Sequence, residues 1–274
     1  MTDSNQPLVS AIIPTKDRCE YLEKALNSVF EQTWENIEVI VVDDASEDDT
    51  PALLSKMAKE HRVTVLRNRT SKGAAASRNL AIKASKGEYI AGLDDDDFWR
   101  PERIKKLLKD FTEGISAVCS HDRMVFGERE IVWKKKQLIT LDDLLYYNQV
   151  GNQVLTRKKY LTEVRGYDEE LPSAQDYDLW IRLAKSFGPV KTVPAVLQVV
   201  HMEESRDRIS NSENQLKGYY QCFEKHKSLM SESHIKYQKY RLRMVEGEPV
   251  SWFDMLRSVP PKYYLKEIIR KLFL

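Results

Sequence analysis

The sequence lacks the features that mark secreted, membrane-spanning and zinc-binding proteins. It has only three cysteines, Cys19, Cys119 and Cys222, which lie far apart and form no CxxC pair. This pattern argues against a disulfide framework and a cysteine-based zinc site, and it favours a reducing cytosol. Apolar runs are short, such as residues 39–42, whereas a transmembrane helix needs about 20 apolar residues. Residues 1–7 are polar and acidic, so we expect no secretory signal there.

An excess of charge of one sign is also absent. The 43 basic side chains nearly balance the 42 acidic ones, giving a net charge of +1, so we expect no nucleic-acid partner. Hydrophobic residues make up 42% of the 274 residues, which is enough for a sizeable core and too much for a disordered chain. The length fits two domains, or one large α/β domain with an appendage.

Short apolar runs alternate with helical periodicity in the first hundred residues. The strand-like runs cover residues 9–13, 37–42, 63–66 and 88–93. Runs that are apolar on both faces and separated by helices predict an α/β fold, with a mostly parallel sheet flanked by helices. Strands and helices are mixed after Phe111, and the pattern is helical from about Met202. We therefore predict an α/β domain over residues 1–202 and a helical C-terminal region over 203–274.

Polar stretches follow all four strands, at the sheet edge where ligands of parallel sheets bind. The strongest signal is the run of four acids from Asp94 to Asp97. Adjacent carboxylates repel each other, and a hard divalent cation shared with substrate phosphates would offset that repulsion. The alternative is that Asp97 caps a helix beginning near Pro101, which would account for one or two of the acids. A second acidic stretch, 43–49, contains a helix cap at Ser46 or Asp48 and leaves a carboxylate for a ligand.

Five ordered blocks within residues 8–202 resemble those of family-2 glycosyltransferases of the GT-A (Rossmann-like) fold. The blocks are Ile12–Arg18, Val42–Ser46, Gly73–Asn79, Leu93–Trp99, and the pair Gly166–Asp168 with Gln175–Leu183. The resemblance implies an inverting transferase that moves a sugar from a nucleotide-sugar, with UDP favoured, to a hydroxyl group. The acceptor would be a saccharide or lipid-linked saccharide, and the cofactor Mn²⁺ or Mg²⁺. By analogy, the enzyme would build a surface polysaccharide such as O-antigen at the cytoplasmic face of a membrane.

The resemblance also implies roles for individual residues. Asp44 would hold the nucleobase, Asp94 would approach the ribose, and Arg78 would lie near the diphosphate or base. Asp96, the metal-binding acid of a DXD-type motif, and His201 would contact the metal, and Asp176 would be the general base that deprotonates the acceptor. The full set expected to contact the donor is Pro14, Thr15, Lys16, Arg18, Asp44, Arg78, Asp94 and Asp95.

Alternatives remain for these residues and for the activity. Asp176 also fits a helix cap or an acid of a first helical turn, and His201 an ordinary strand histidine. Lys16 stands where an aromatic residue is usual, Ser71 where Asn is usual, and Gln175 where Glu is usual. The competing activities are a sugar-phosphate nucleotidyltransferase and an inactive, nucleotide-binding membrane scaffold.

The C-terminal region carries 14 basic and 10 acidic side chains, a net charge of +4. Its last stretch, 263–274, is both apolar and basic. Such a helix can lie in a membrane interface, giving a peripheral membrane protein, or it can pack on its own domain or on a second subunit of a homo-oligomer.

Overall fold

The structure is a computed structural model that describes residues 6–61, 63–202 and 213–273. Its central feature is one twisted sheet of ten strands. The strands are β1 (Val9–Thr15), β2 (Ile37–Asp43), β3 (Val63–Arg67), β4 (Tyr89–Gly92), β5 (Phe98–Trp99), β6 (Ala117–Phe126), β7 (Arg129–Trp133), β8 (Leu138–Ile139), β9 (Leu155–Arg157) and β10 (Val190–His201). The helices are α1 (Cys19–Phe30), α2 (Thr50–Glu60), α3 (Ala74–Ala84), α4 (Arg103–Asp110), α5 (Leu141–Tyr146), α6 (Lys158–Glu163), α7 (Gln175–Phe187), α8 (Glu213–His226), α9 (Glu232–Val245), α10 (Trp252–Ser258) and α11 (Tyr264–Phe273).

The main path of the sheet runs in the order β3-β2-β1-β4-β9-β6-β10-β5. Strands β1 to β4 are parallel to one another, as the alternating pattern of the first hundred residues predicts. Strand β9 then pairs antiparallel with both β4 and β6, while β10 runs parallel to β6. The parallel half therefore brings the ends of β1, β2 and β4 to one edge, and the mixed half extends the sheet beside it.

Alternate residues of the central strands enter two separate hydrophobic cores. Ile12 and Ile40 pack into one core together with α3 and α7. Their neighbours Ile13 and Val41 pack into the other, together with α1, α2 and α4. A strand that is apolar on both faces is buried on both faces, because successive side chains point to opposite sides. The expected α/β arrangement, with helices covering both faces, is what the structure shows.

The helical C-terminal region is confirmed for residues 213–273. It builds a third core rich in tyrosine, in which Tyr237 of α9 and Met255 of α10 pack with Tyr146 of α5. Glu267 of α11 is fully buried there and accepts a hydrogen bond of 2.6 Å from the Tyr237 hydroxyl. Among the described helices, none is long and apolar enough to cross a membrane.

Candidate active site

Asp44 follows β2 and lies at the centre of a cluster of hydrogen-bond donors. Its Oδ1 accepts from the Asn68 amide at 2.6 Å and from the Lys72 backbone N–H at 2.8 Å. Its Oδ2 accepts from the Ser71 hydroxyl at 2.8 Å and from the Gly73 N–H at 2.9 Å. Partial burial raises the pKa of Asp44, but these four bonds outweigh it and lower the pKa. Asp44 is therefore a carboxylate that orders the β3–α3 loop, and a nucleobase would have to replace one of these donors.

The loops after β1 and β2 are joined by hydrogen bonds. The Asp17 N–H donates to the Ser46 hydroxyl at 2.9 Å, and the Glu47 N–H donates to Asp17 Oδ1 at 2.6 Å. Asp48 Oδ1 accepts from the N–H of Thr50, the first residue of α2, at 2.9 Å. The N-cap of α2 is Asp49, which makes no capping side-chain hydrogen bond, so the prediction of Ser46 or Asp48 as the cap is wrong. Asp48 precedes the cap, and Ser46 serves the neighbouring loop. These contacts fix the two loops as one surface beside Asp44.

Three of the four consecutive acids are paired with arginines from other parts of the chain. Asp94 Oδ1 accepts from Arg78 at 2.7 Å, and its Oδ2 accepts from the Asn152 amide at 2.6 Å. Asp96 Oδ2 accepts from Arg18 at 2.5 Å. Arg18 also lies 3.7 Å from Asp95 Oδ1, so the two arginines offset part of the repulsion within the acidic run.

Asp97 has a structural role that differs from the predicted helix cap. It accepts hydrogen bonds from the Gln153 amide at 2.6 Å, from Asn152 at 3.1 Å and from the His201 backbone N–H at 3.0 Å. Helix α4 has Glu102 at its N-cap. The prediction that Asp97 caps this helix is therefore wrong, because its oxygens instead join the acidic turn to the ends of β9 and β10.

Burial raises the pKa of two acids of the run. It raises the pKa of Asp95 to about 7, against the opposing charge of Arg18. It also raises the pKa of Asp97 well above the usual range, and the charges of Asp94 and Asp96 add to that effect. The turn therefore carries less negative charge than four free carboxylates would.

Asp96 and His201 meet at the edge of the sheet. His201 is the last residue of β10, and its Nδ1 lies 2.7 Å from the backbone oxygen of Asp96. Within the described ranges, no group of three or more His, Cys, Asp or Glu side chains is arranged to hold a metal ion. A carboxylate and an imidazole are nevertheless donors that Mn²⁺ and Mg²⁺ accept when substrate phosphates complete the coordination. The residues fit a cation shared with a diphosphate, and not a cage made by the protein alone.

Asp176 lies in the first turn of α7, with Ala174 at the N-cap and no capping side chain. The prediction that Asp176 is the cap is therefore wrong, whereas its first-turn position is confirmed. Its Oδ1 is buried and has no hydrogen-bond partner among the described residues. Burial raises its pKa to about 7, while the charge of Arg78 lowers it and that of Asp94 raises it. A carboxyl group with such a pKa can exchange a proton near neutral pH, which is what a general base requires.

The first turn of α7 is anchored through Asp178. This fully buried carboxylate accepts from Arg182 at 2.6 Å and from Lys225 at 2.8 Å, and His226 Nε2 lies 2.8 Å away. Burial raises the pKa of Asp178, but these partners hold it well below its usual range. Arg182 lies four residues after Asp178, so this ion pair forms within α7 itself. Lys225 and His226 were missed, because they lie on α8, beyond the blocks that carry the family resemblance.

The segment before β9 is a turn that also reaches the acids. Asn148 Oδ1 accepts from the N–H groups of Val150 and Gly151 at 3.0 and 3.1 Å, and Gly151 has a φ of 94°. The Gly151 carbonyl accepts from the Trp180 indole at 2.8 Å. The turn thereby holds Asn152 against Asp94, a partner that no spacing in the sequence indicates.

The remaining predicted donor residues lie at the end of β1. Pro14 and Thr15 are buried in the strand, and Lys16 is exposed just beyond it. Of the residues that depart from the family pattern, Ser71 binds Asp44, and the Gln175 amide donates to the Leu171 carbonyl at 2.7 Å. The structure thus brings the predicted donor, metal and base residues to one edge of the sheet.

Solved structures share this fold over nearly the whole chain. The crystal structure of S. aureus TarS 1-349 in complex with UDP-GlcNAc has a TM-score of 0.69 at 20% identity, over 93% of this chain and 77% of that one. The mannosyltransferase PcManGT from Pyrobaculum calidifontis, in complex with GDP-Man and Mn²⁺, has a TM-score of 0.62 at 17% identity, over 98% and 81%. Both likenesses confirm the GT-A fold expected from the sequence.

Sequence comparison reaches the family level. The chain is 31% identical to the putative colanic acid biosynthesis glycosyl transferase WcaA of Escherichia coli K12, over 92% of this chain and 93% of the relative. It spans only 27% to 65% of the length of several other curated glycosyltransferases that it matches. The profile of glycosyl transferase family 2 matches residues 10–168. The chain belongs to this family and is a glycosyltransferase.

Proposed function

We propose that this glycosyltransferase moves a sugar from a UDP-sugar to a hydroxyl group of a saccharide or lipid-linked saccharide, with inversion at the anomeric carbon. The observation that carries the proposal is the buried, unpartnered Oδ1 of Asp176, placed by α7 beside Arg78 and Asp94. The UDP-GlcNAc bound by TarS and the polysaccharide role in the name of WcaA support the donor and the pathway. The location at the cytoplasmic face of a membrane stays a prediction from the sequence.

The donor would lie across the loops after β1, β2 and β4. The joined loops at residues 14–18 and 44–48 would form the base pocket, with Asp44 exchanging one of its present donors for the base. Asp94, held by Arg78 and Asn152, is positioned to accept from a ribose hydroxyl. Asp96 and His201 would hold Mn²⁺ or Mg²⁺ against the diphosphate, where the cation supplies charge stabilisation for the leaving group.

Asp176 would accept the proton of the acceptor hydroxyl as that oxygen attacks the anomeric carbon. The bond from the anomeric carbon to the diphosphate oxygen breaks in the same displacement, and the UDP leaves with the bonding electrons. A single displacement inverts the anomeric centre. Anchoring of Asp178 by α8 keeps the helix turn that carries Asp176 in place, so the base is preorganised.

The experiment is a screen of nucleotide-sugars with the full chain and Mn²⁺, measuring nucleotide release with and without saccharide acceptors. We expect release from a UDP-sugar and loss of that release in Asp176→Asn. Nucleotide release only from nucleotide-sugars with a base other than uracil would contradict the donor assignment. Nucleotide binding without turnover of any donor would favour the inactive scaffold, and synthesis of a nucleotide-sugar from a sugar phosphate would favour the nucleotidyltransferase.

A further inference from the structure

Helices α10 and α11 form an antiparallel hairpin on the outside of the tyrosine-rich core. The Tyr264 hydroxyl, at the start of α11, donates to the carbonyl of Leu256 near the end of α10 at 3.1 Å. The Lys271 ammonium, near the end of α11, lies 5.1 Å from the ring centroid of Trp252 at the start of α10. The two contacts pair opposite ends of the helices, so the helices lie side by side and run in opposite directions.

Each helix of the hairpin exposes apolar side chains at helical spacing. Trp252, Phe253 and Leu256 on α10, and Leu265 and Ile269 on α11, are between 49% and 72% exposed. These are five of the eleven large apolar side chains that are exposed in the described part of the chain. On the opposite side of the two helices, Met255 of α10 and Glu267 of α11 are buried. The hairpin is thus amphipathic, with an apolar surface that the described residues of the chain leave uncovered.

The charge around this apolar surface is positive. The basic residues of the hairpin are Arg257, Lys262, Lys266, Arg270 and Lys271, and its only acids are Asp254 and Glu267. Glu267 is fully buried, and Asp254 accepts from the Ser251 backbone N–H and hydroxyl at 2.8 Å and pairs with Arg243 at 3.4 Å. Two of the lysines contribute less positive charge than the others, because Lys262 pairs with Asp142 at 3.4 Å and burial lowers the pKa of Lys266 to about 7. The positive charge beside the apolar surface therefore comes chiefly from Arg257, Arg270 and Lys271.

We propose that the α10–α11 hairpin docks on the surface of an anionic lipid bilayer. Trp, Phe, Leu and Ile side chains enter the boundary between headgroups and acyl chains, and flanking Lys and Arg side chains attract anionic headgroups. A second copy of this chain would meet the same positive charge on both sides, which disfavours self-association through this surface.

The hairpin is also connected to the candidate active site. Gln149 donates to the hydroxyl of Tyr263, immediately before α11, at 3.2 Å. Three residues later in the same segment, Asn152 binds Asp94. Docking would hold this side of the active site near the membrane, where a lipid-linked acceptor is confined. This consequence depends on the proposed function, whereas docking itself does not.

The test is sedimentation of the full chain with vesicles of equal parts phosphatidylglycerol and phosphatidylcholine, and with vesicles of phosphatidylcholine alone. We expect tighter binding to the anionic vesicles. Leu265→Gln with Ile269→Gln should weaken it roughly tenfold or more, through lost apolar burial. Arg257→Gln with Arg270→Gln should weaken it about fivefold per charge. Substitutions are preferable to deleting residues 260–274, because that deletion removes the buried Tyr263 and Glu267.

Ile131→Gln is the matched control, since Ile131 on β7 is as exposed as Leu256, at 57%. It should leave vesicle binding unchanged, and all variants should keep the wild-type melting temperature and UDP affinity. Equal binding to both kinds of vesicle, or equal loss in the control, would overturn the proposal. So would light scattering that shows a dimer which the Leu265→Gln and Ile269→Gln substitutions dissociate. A wild-type protein that does not bind UDP would contradict the proposed function, but it would not affect the docking proposal.

Discussion

Replacing Asp176 by Asn tests the assignment of the base and has a magnitude that follows from its surroundings. A positioned general base contributes roughly 10²–10⁴-fold in rate. Asn has the same shape but cannot accept the proton, so turnover should fall by that factor while UDP affinity stays unchanged. Since Asp176 Oδ1 has no hydrogen-bond partner among the described residues, Asn breaks no bond to that oxygen.

The pH dependence gives a second signature. Burial raises the pKa of Asp176 to about 7, so the base is fully ionised only above that pH. Below it, the wild-type rate should fall about tenfold per pH unit, whereas the Asn variant should lack this acid limb.

The effect of pH on the stability of the fold has the opposite sign. Because the folded-state pKa lies above its unfolded value, ionising Asp176 costs stability as pH rises from about 4 to about 7, and Asn avoids that cost.

Steady-state transfer rates between pH 5 and 9, with melting temperatures of the same samples, provide the assay. Glu232→Gln is the control, because Glu232 is also a first-turn acid but is exposed on α9. If Asp176 acted only on the helix dipole, both variants would retain full activity. A fully active Asp176→Asn enzyme would refute the assignment and direct attention to Asp168, since Asp178 is fully buried in ion pairs.

Two further predictions concern the carboxylates that order the site. Asp178→Asn leaves Arg182 and Lys225 without their buried partner and should lower the free energy of unfolding by about 3–5 kcal/mol in urea denaturation. Glu102→Gln, which breaks the exposed Glu102–Lys106 pair, should cost far less, because water screens that pair. The stability contributed by Asp178 should be complete above pH ~4 and lost as pH falls towards its depressed pKa; an equal loss in both variants would contradict the burial argument. Asp44→Asn places an amide N–H₂ group against the existing hydrogen-bond donors. It should lower the free energy of unfolding by about 1–3 kcal/mol and weaken UDP binding measured by calorimetry. Ser71→Ala removes only one of the hydrogen bonds and should therefore cost less stability. Wild-type UDP affinity in Asp44→Asn would show that Asp44 serves the loop alone.

The sequence was sufficient for the parallel half of the sheet. In the mixed half it did not indicate β5, β8 or the directions in which the strands pair. Strands such as β2 are predictable from the sequence, because a continuous β-branched run is typical of a strand that is buried on both faces. β5 and β8 have two residues each and carry no periodicity, so their pairing with β10 depends on tertiary contacts.

The candidate site follows the same division. The acids at the end of β4 were identified from their position, since parallel strands deliver such residues to a common edge. Their partners were not fully predictable, because Arg18 and Asn152 reach Asp96 and Asp94 from loops 78 and 58 residues away along the chain. The role of Asp97 was mistaken for the same reason, because capping is a local pattern and its actual partners are distant.

The proposed function requires that the site bind a UDP-sugar together with a divalent cation held by Asp96. Calorimetric titration of UDP into the full chain, with Mn²⁺ and then with excess chelator, tests it most directly. We predict that the chelator weakens wild-type affinity by more than about tenfold, and that Asp96→Asn in Mn²⁺ loses a comparable factor. Equal UDP affinity with metal and with chelator, or an Asp96→Asn variant that binds UDP in Mn²⁺ as tightly as the wild type, would contradict the account.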